Sequence, residues 1–285
     1  MKGKCQLYQI ETELENSHLI PQFAFDYFKK TGGKYMRSLL KPNLRVQDGP
    51  TEYLLGGKAE QEFSKRERWF ANNIFYPYMK KEKSSFEYNE NLSYFLISVL
   101  WRVLANQLKH KSIKSDNRLD FLHQVKEEWR LFLSEYRYPI NYDNLGIFLT
   151  SPISSHHSEL FNVDLYTTRM IDATIIVNED CSTVAVYVKF LRFMIWSVVK
   201  GETIQGENIK VDFGNGKLTT PQKVKDSFLS SFLNNRIRVI DNRELPNERQ
   251  QKKIFSEIEK NEKEFFESDI YRSLVNDSIN KTAYR

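Results

Sequence analysis

The 285-residue sequence predicts an α+β fold, and three observations carry that prediction. An apolar stripe at helical spacing runs from about Leu92 to Lys109, and a second helical pattern follows it to about Tyr136. Past about Asn162 the texture changes to short runs of Ile, Val and Thr divided by polar turns, which read as strands. The first ninety residues hold neither pattern for long and are broken by the turn signals Gly32-Gly33, Lys41-Pro42-Asn43 and Asp48-Gly49-Pro50. Three regions follow: a small module over 1–90, a helical pair over 91–140 packed on it, and a mixed region of hairpins and helices over 141–285.

Leu19 to Phe28 is a short apolar, aromatic segment. Glu60 to Phe75 reads as a helix, with Phe63, Phe70, Ile74 and Phe75 near helical spacing. In the next helix Leu92, Phe95, Leu96, Val99, Leu100, Val103, Leu104 and Leu108 form the stripe, and Trp101 and Arg102 lie off it. A Ser115-Asp116 cap opens the second helix of the pair, Leu119, Leu122, Val125, Trp129, Phe132 and Tyr136 face inward, and Tyr138-Pro139 ends it. The two are expected to pack antiparallel. Met170 to Val177 and Val184 to Phe190 read as a hairpin across Asn178-Glu179-Asp180. Phe193 to Val199 is too short for periodicity to separate a strand from a buried helix. Asn208 to Phe213 and Lys217-Leu218 read as a hairpin around Gly214-Asn215-Gly216. Thr220-Pro221 reads as a helix start, and a last charged helix runs from about Asn247 to the Asp269 region with Ile254, Ile258 and Phe265 on one side.

The formal net charge is +5, but it is not evenly spread. Between Asp26 and Lys83 there are thirteen Lys or Arg and seven Asp or Glu. A basic N-terminal third suits phosphate contacts, and it also suits an ordinary solvated surface. No apolar run reaches the ~18 residues that span a bilayer, and the N-terminus has no hydrophobic stretch like a signal peptide. The expectation is a cytoplasmic protein with no membrane partner. Cys5 and Cys181 are far apart and suggest no disulfide framework. There is no G-x-x-x-x-G-K-[ST], G-x-G-x-x-G or G-x-S-x-G, so nucleotide hydrolysis, dinucleotide redox chemistry and serine hydrolysis find no support.

The informative segments are Cys5-Gln6-Leu7-Tyr8, Ser17-His18-Leu19-Ile20-Pro21 and Tyr53-Leu54-Leu55-Gly56-Gly57-Lys58-Ala59-Glu60. With cysteine at Tyr8, Gly56 and Ala59 they would be two C-x-x-C knuckles flanking S-H-[IL]-I-P. Between and beyond them stand Asn43-Leu44-Arg45-Val46-Gln47-Asp48-Gly49, Phe63-Ser64-Lys65 and Ser98-Val99-Leu100-Trp101-Arg102-Val103-Leu104. The pattern resembles a bacterial HNH-like family with a zinc-stapled ββα or treble-clef-like module, here with three of the four zinc cysteines replaced. The match covers roughly the first 110 residues in order.

The resemblance implies a fold, a chemistry and a setting. The module would be a degenerate ββα unit with no structural zinc, Cys5 being its remnant. Two cysteines three apart on a knuckle aim both sulfurs at one ion, so losing such a site can forfeit ~10 kcal/mol of local folding free energy. Aromatic packing from Phe23, Phe25, Tyr27, Phe28, Phe63, Phe70 and Phe75, or the helices, would have to replace it. His18 stands where the family's general base stands, and Glu60 where a metal ligand stands, so Mg²⁺ or Mn²⁺ is the implied cofactor. Ser17 replaces a usual ligand. Arg45, Lys65 and Arg66 would contact phosphate. The expected function is that of a nucleic-acid-directed protein derived from an HNH-like nuclease, in phage defence or a mobile element. Its alternative is a catalytically inactive subunit that keeps the scaffold as a binding surface for nucleic acid or a protein partner of such a system.

Three further residue groups have plainer readings. His156-His157 reads as solvated loop. Asp172 and Lys189 fall on neighbouring strands, as in restriction-type nucleases, but Tyr187 stands where that chemistry needs an acid. Trp101-Arg102 reads as core packing.

Overall fold

The fold is α+β. The computed structural model describes residues 1–32, 36–38, 41–46, 48–110, 113, 116–138, 144–153 and 159–283. The turn at Gly33, the cap residue Ser115, the helix stop at Pro139 and the His156-His157 pair lie outside them.

The N-terminal module begins with β1 (Lys2–Lys4) and β2 (Glu11–His18), antiparallel across a tight turn, and β5 (Thr51–Gly56) pairs along β2 to complete a sheet ordered β1-β2-β5. Between β2 and β5 come α1 (Gln22–Gly32) and a two-residue ladder of β3 (Met36–Arg37) with β4 (Arg45–Val46). Helix α2 (Gly57–Phe70) starts directly from the end of β5. It passes through a π turn, Ala71–Phe75, into α3 (Tyr76–Met79). Pro77 has no N–H to donate, so a shift of hydrogen-bond pattern just ahead of it fits that residue. The expected helix is therefore present and continues four residues past Phe75.

Helix α4 (Glu90–Gln107) is capped by Asn89, whose side chain accepts from the N–H of Asn91. It packs against α5 (Leu122–Glu135), which follows a 3₁₀ turn at Asn117–Leu119 capped by Asp116. Tyr94 Oη donates to the Leu133 carbonyl at 2.8 Å and Trp101 Nε1 to that of Lys126 at 3.1 Å, a register that makes the pair antiparallel as expected. The one-stripe reading of α4 needs correction. Trp101 and Arg102 are buried with the rest, because α4 is covered on every side.

Behind α4 stands a four-stranded antiparallel sheet ordered β7 (Leu145–Leu149), β10 (Phe193–Lys200), β9 (Val184–Phe190), β8 (Ile171–Val177). The β8–β9 hairpin is as read from the sequence, and Phe193–Lys200 is a strand. Alternate residues of β9 enter two different cores. Val184, Val186, Val188 and Phe190 join the large cluster around α4, which is continuous with the N-terminal module. Ala185 and Tyr187 join a second cluster with Met194, Trp196, Leu229 and Ile237. A strand buried on both faces has no polar face to alternate with, which is why this stretch reads as one apolar run.

Two expectations near the end of the sheet are overturned. Gly216–Thr219 (β12) does not fold back on Asn208–Phe213. It pairs instead with β6 (Ser85–Tyr88), 130 residues earlier in register at Gly216 opposite Tyr88 counted down to Thr219 opposite Ser85. Gly216 permits this approach, since a Cβ there would lie 2.3 Å from Tyr88 Oη. Nor does a helix start at Thr220-Pro221. The N–H and hydroxyl of Thr220 both donate to the Ser84 carbonyl, extending the ladder. A short β11 (Gly206–Glu207) and β13 (Lys223–Val224) pair follows, and α7 (Ser227–Asp241) begins only at the Asp226 cap.

The charged helix expected from about Asn247 to the Asp269 region is two helices, α8 (Glu248–Lys260) and α9 (Glu262–Phe266), and a further helix that the sequence reading did not include, α10 (Asp269–Ala283), follows. Asn247 caps α8 and Asn261 interrupts the run. Helix α10 holds α6 (Val163–Arg169) through Asp277, whose carboxylate accepts from the N–H groups of Asp164 and Leu165 at 2.8 and 2.9 Å. Burial pushes the Asp277 carboxyl up to about 6 against the opposing pull of those two bonds.

Candidate functional site: the Cys5 turn and a basic groove

The four knuckle positions come together, from stretches fifty residues apart. The chain turns between Cys5 and Ile10, with Gln9 N–H donating to the Cys5 carbonyl and Cys5 N–H to that of Ile10, both at 2.8 Å. Gln9 takes a positive φ of 60° to make the turn. The Cys5 sulfur accepts from the Gly56 N–H at 3.4 Å, so the first knuckle sits on the junction of β5 and α2. The positions that the resemblance assigns to zinc ligands are packed into the core or against neighbours. Cys5 and Ala59 are 1 % and 0 % exposed within the large core. A Cβ on Gly56 would lie 2.5 Å from the Thr12 methyl, so Thr12 occupies the space a side chain there would use. Tyr8 lies under the Lys58 ammonium at 4.9 Å. Below them the aromatic side chains expected to replace the metal do pack: Phe23 against Phe75 at 4.9 Å, Phe70 stacked on Phe95 at 4.2 Å, and Phe63 edge-on to Trp101 at 6.2 Å.

Ser17 and Glu60 also meet. The buried Ser17 hydroxyl donates to Glu60 Oε1, joining the strand position before His18 to the first turn of α2. His18 closes β2 opposite Thr51, and its ring lies 6.3 Å from that of Phe25. Its carbonyl accepts from Arg102 Nη1 at 2.8 Å, and its Nε2 is buried without a hydrogen-bond partner. Arg102 also donates to Glu67 at 2.7 Å and to the Ser98 carbonyl at 3.3 Å, which ties α4, α2 and β2 together. Asp48 is held by Lys29 at 2.9 Å, a bond that with Gln22 and the charge of His18 keeps its carboxyl below the usual range. Glu62 is engaged by Lys65 at 2.6 Å. Each acid near His18 thus has another partner, and among the described residues no three of His, Cys, Asp and Glu gather as a metal-binding group. As they stand these side chains do not form the shell that the resemblance implies for Mg²⁺ or Mn²⁺.

The three cations expected at phosphate do not share a face. Lys65 pairs with Glu62 on α2. Arg66 donates to Tyr136 Oη at 2.8 Å and lies 4.8 Å over the Tyr94 ring. Arg45 pairs with Glu257 of α8 at 2.6 Å and lines a groove of about 1670 Å³ between α1, the β3–β4 ladder, α3 and the C-terminal helices. Nine lysines and arginines line that groove against five acids. That excess of four compares with a net charge of +5 for the whole chain, so the groove concentrates its positive charge. Lys29, Lys30, Arg37, Lys80 and Lys81 come to it from the basic stretch seen in the sequence. His18 and Glu60 do not line it.

Sequence reasoning missed Arg169, Arg192 and Arg272, which approach from the C-terminal half. One signal was present: Lys189 and Arg192 are two cations set within the otherwise apolar stretch that became β9 and β10. Asp172 and Lys189 do stand opposite each other, but they do not make a catalytic pair. Lys189 is fully buried and donates to the Met170 and Leu191 carbonyls at 2.9 and 2.5 Å, and burial draws its ammonium well below the usual range. Asp172 instead accepts from Tyr166 at 3.1 Å and pairs with Arg236 at 3.0 Å.

Compared with protein-family models, with curated proteins and with solved structures, the chain matches none. No helix among the described residues is long and apolar enough to cross a membrane.

Proposed function

We propose that this chain is a cytoplasmic, nucleic-acid-directed protein built on an HNH-like scaffold that has passed from metal chemistry to binding. The observation that carries the reading is the double meeting of Cys5 with Gly56 and Ser17 with Glu60. Positions that the family pattern assigns to one metal-stapled hairpin and helix lie together here, closed by packing and a hydrogen bond. The basic groove supports a polyanion as the ligand, since clustered Lys and Arg release counterions from a phosphate backbone. The setting, phage defence or a mobile element, follows from the resemblance alone.

One observation favours the catalytic alternative: His18 Nε2 has no partner, as a free base would. The two readings separate in one experiment. The protein is titrated into labelled single-stranded and duplex DNA and RNA at 50 and 200 mM salt, and then incubated with the same substrates and Mn²⁺ beside His18→Ala. Binding that weakens steeply with salt is expected, with no cleavage that depends on His18. Binding indifferent to salt, or none, removes nucleic acid as the ligand. Cleavage lost in His18→Ala replaces the binding module with a nuclease.

A further inference from the structure

A smaller cavity of about 300 Å³ adjoins the groove where the first turns of α10 face α6, and it shares Lys81, Arg192, Asp269 and Arg272 with the groove's lining. Its wall holds three donors with nothing to donate to. Arg192 is 8 % exposed, and its guanidinium makes no hydrogen bond or ion pair with the described residues. The Ser273 hydroxyl is 1 % exposed and has no partner. Arg169 uses its two Nη atoms on Thr31 and the Phe28 carbonyl, and its Nε is left over. The acids in the same wall already have partners. Asp164 accepts from the Ile153 N–H at 2.5 Å, and Asp269 pairs with Arg272 at 3.1 Å and Arg169 at 3.7 Å.

Burying the Arg169 guanidinium with its Nε unpaired is costly, and the Arg192 guanidinium in the same wall repels it as well. Burial above all, with the charge of Arg192, draws Arg169 down to about 10 in spite of Asp269. An anion between them would relieve both costs. A carboxylate offers two oxygens. A phosphoryl group offers three and up to two negative charges, which suits two guanidinium groups and a hydroxyl. The cavity lies at the lower end of the usual range for small-molecule sites, with room for more than bare phosphate.

We infer that this cavity binds a phosphomonoester, with Arg192 and Ser273 donating to its oxygens. The same chemistry is carried by a free mononucleotide and by the phosphorylated end of a strand lying in the groove. Only the second source rests on the nucleic-acid reading.

The test uses the full chain at fixed ionic strength. Its probes are AMP and one labelled oligonucleotide carrying a 5′-phosphate, a 3′-phosphate or neither. The variants are Arg192→Gln, Arg192→Lys, Ser273→Ala and, as a charge control, the exposed Lys217→Gln. Arg192 makes no side-chain bond, so its variants should melt like the wild type, and Ser273→Ala supplies an independent reading. Arg192→Gln should weaken AMP or the end-phosphorylated strand by roughly tenfold or more, Arg192→Lys by less, and Lys217→Gln not at all. The strand without an end phosphate should lose far less to Arg192→Gln than the end-phosphorylated strand does, since Arg192 also lines the groove. Equal binding of all three strands, with AMP not bound and no effect of Arg192→Gln, overturns the cavity and leaves the groove as a nucleic-acid site. AMP bound through Arg192 with no strand bound keeps the cavity and overturns the proposed function. Binding of no probe overturns both.

Discussion

The knuckle side and the groove side of this molecule each bury an arginine, and the two are treated in opposite ways. Arg102 is 3 % exposed and fully employed, giving its hydrogens to Glu67, His18 and Ser98. Arg192 is 8 % exposed and employed by nothing described in the chain. The same contrast runs through their neighbours. Beside Arg102, Ser17 is closed onto Glu60, and Cys5 and Ala59 are packed in the core. Beside Arg192, Ser273 is buried with a free hydroxyl, and α8 buries none of its side chains while a large groove stays open beneath it. Complete internal pairing marks a structural role, and unpaired buried donors mark a place prepared for something else. Around Arg102 most polar groups are satisfied, and His18 Nε2, Gln22 Oε1 and Arg66 Nε are buried atoms of the same module without a hydrogen bond.

This contrast can be broken at several points. The largest effect belongs to Arg102→Met, which strands Glu67 and the His18 carbonyl; a loss of about 3–5 kcal/mol in urea unfolding is expected. A loss below about 1 kcal/mol would mean that the network is ornamental. A smaller effect, sharpest in its pH dependence, belongs to Asp277. Its folded carboxyl titrates near 6, above the unfolded value of 3.8, so the native state holds the proton more tightly. Stability from this group therefore increases as pH falls from 7 through 6 and levels off below about 4. Asp277→Asn should flatten that part of the stability profile, and an unchanged slope would assign it to other groups. The smallest effect is expected for Arg192→Met, where removal of an unpartnered buried charge should leave the melting temperature unchanged or slightly raised. A destabilisation matching that of Arg102→Met would erase the difference between the two sides.

Much of the fold was legible, for a physical reason that varies by element. The α4–α5 pair, the β8–β9 hairpin and the helix after β5 each follow from local periodicity and caps within one stretch of chain. The β12 strand was misread because its partner β6 is far away in sequence, and Gly214-Asn215-Gly216 offered a local turn that the chain does not use for pairing. The start of α7 was misplaced because Thr220 spends both of its donors on Ser84, a partner no local pattern announces. Within the candidate site, the meeting of the two knuckle stretches was legible through the family pattern, and so was the basic charge of Arg45 and its neighbours. The separation of Lys65 and Arg66 from Arg45 was not.

By itself the sequence determined the α+β class and most of the elements, because period, caps and residue identity are local properties. Only the tertiary structure decided which polar groups find partners. Cys5 faces Gly56 and Ser17 faces Glu60 because β2, β5 and α2 close on one another. Arg192 and Ser273 line one cavity because α10 docks on α6 through Asp277 and leaves that cavity beside it. Whether a buried charge is satisfied depends on atoms brought from elsewhere in the chain, and no single stretch of sequence contains them.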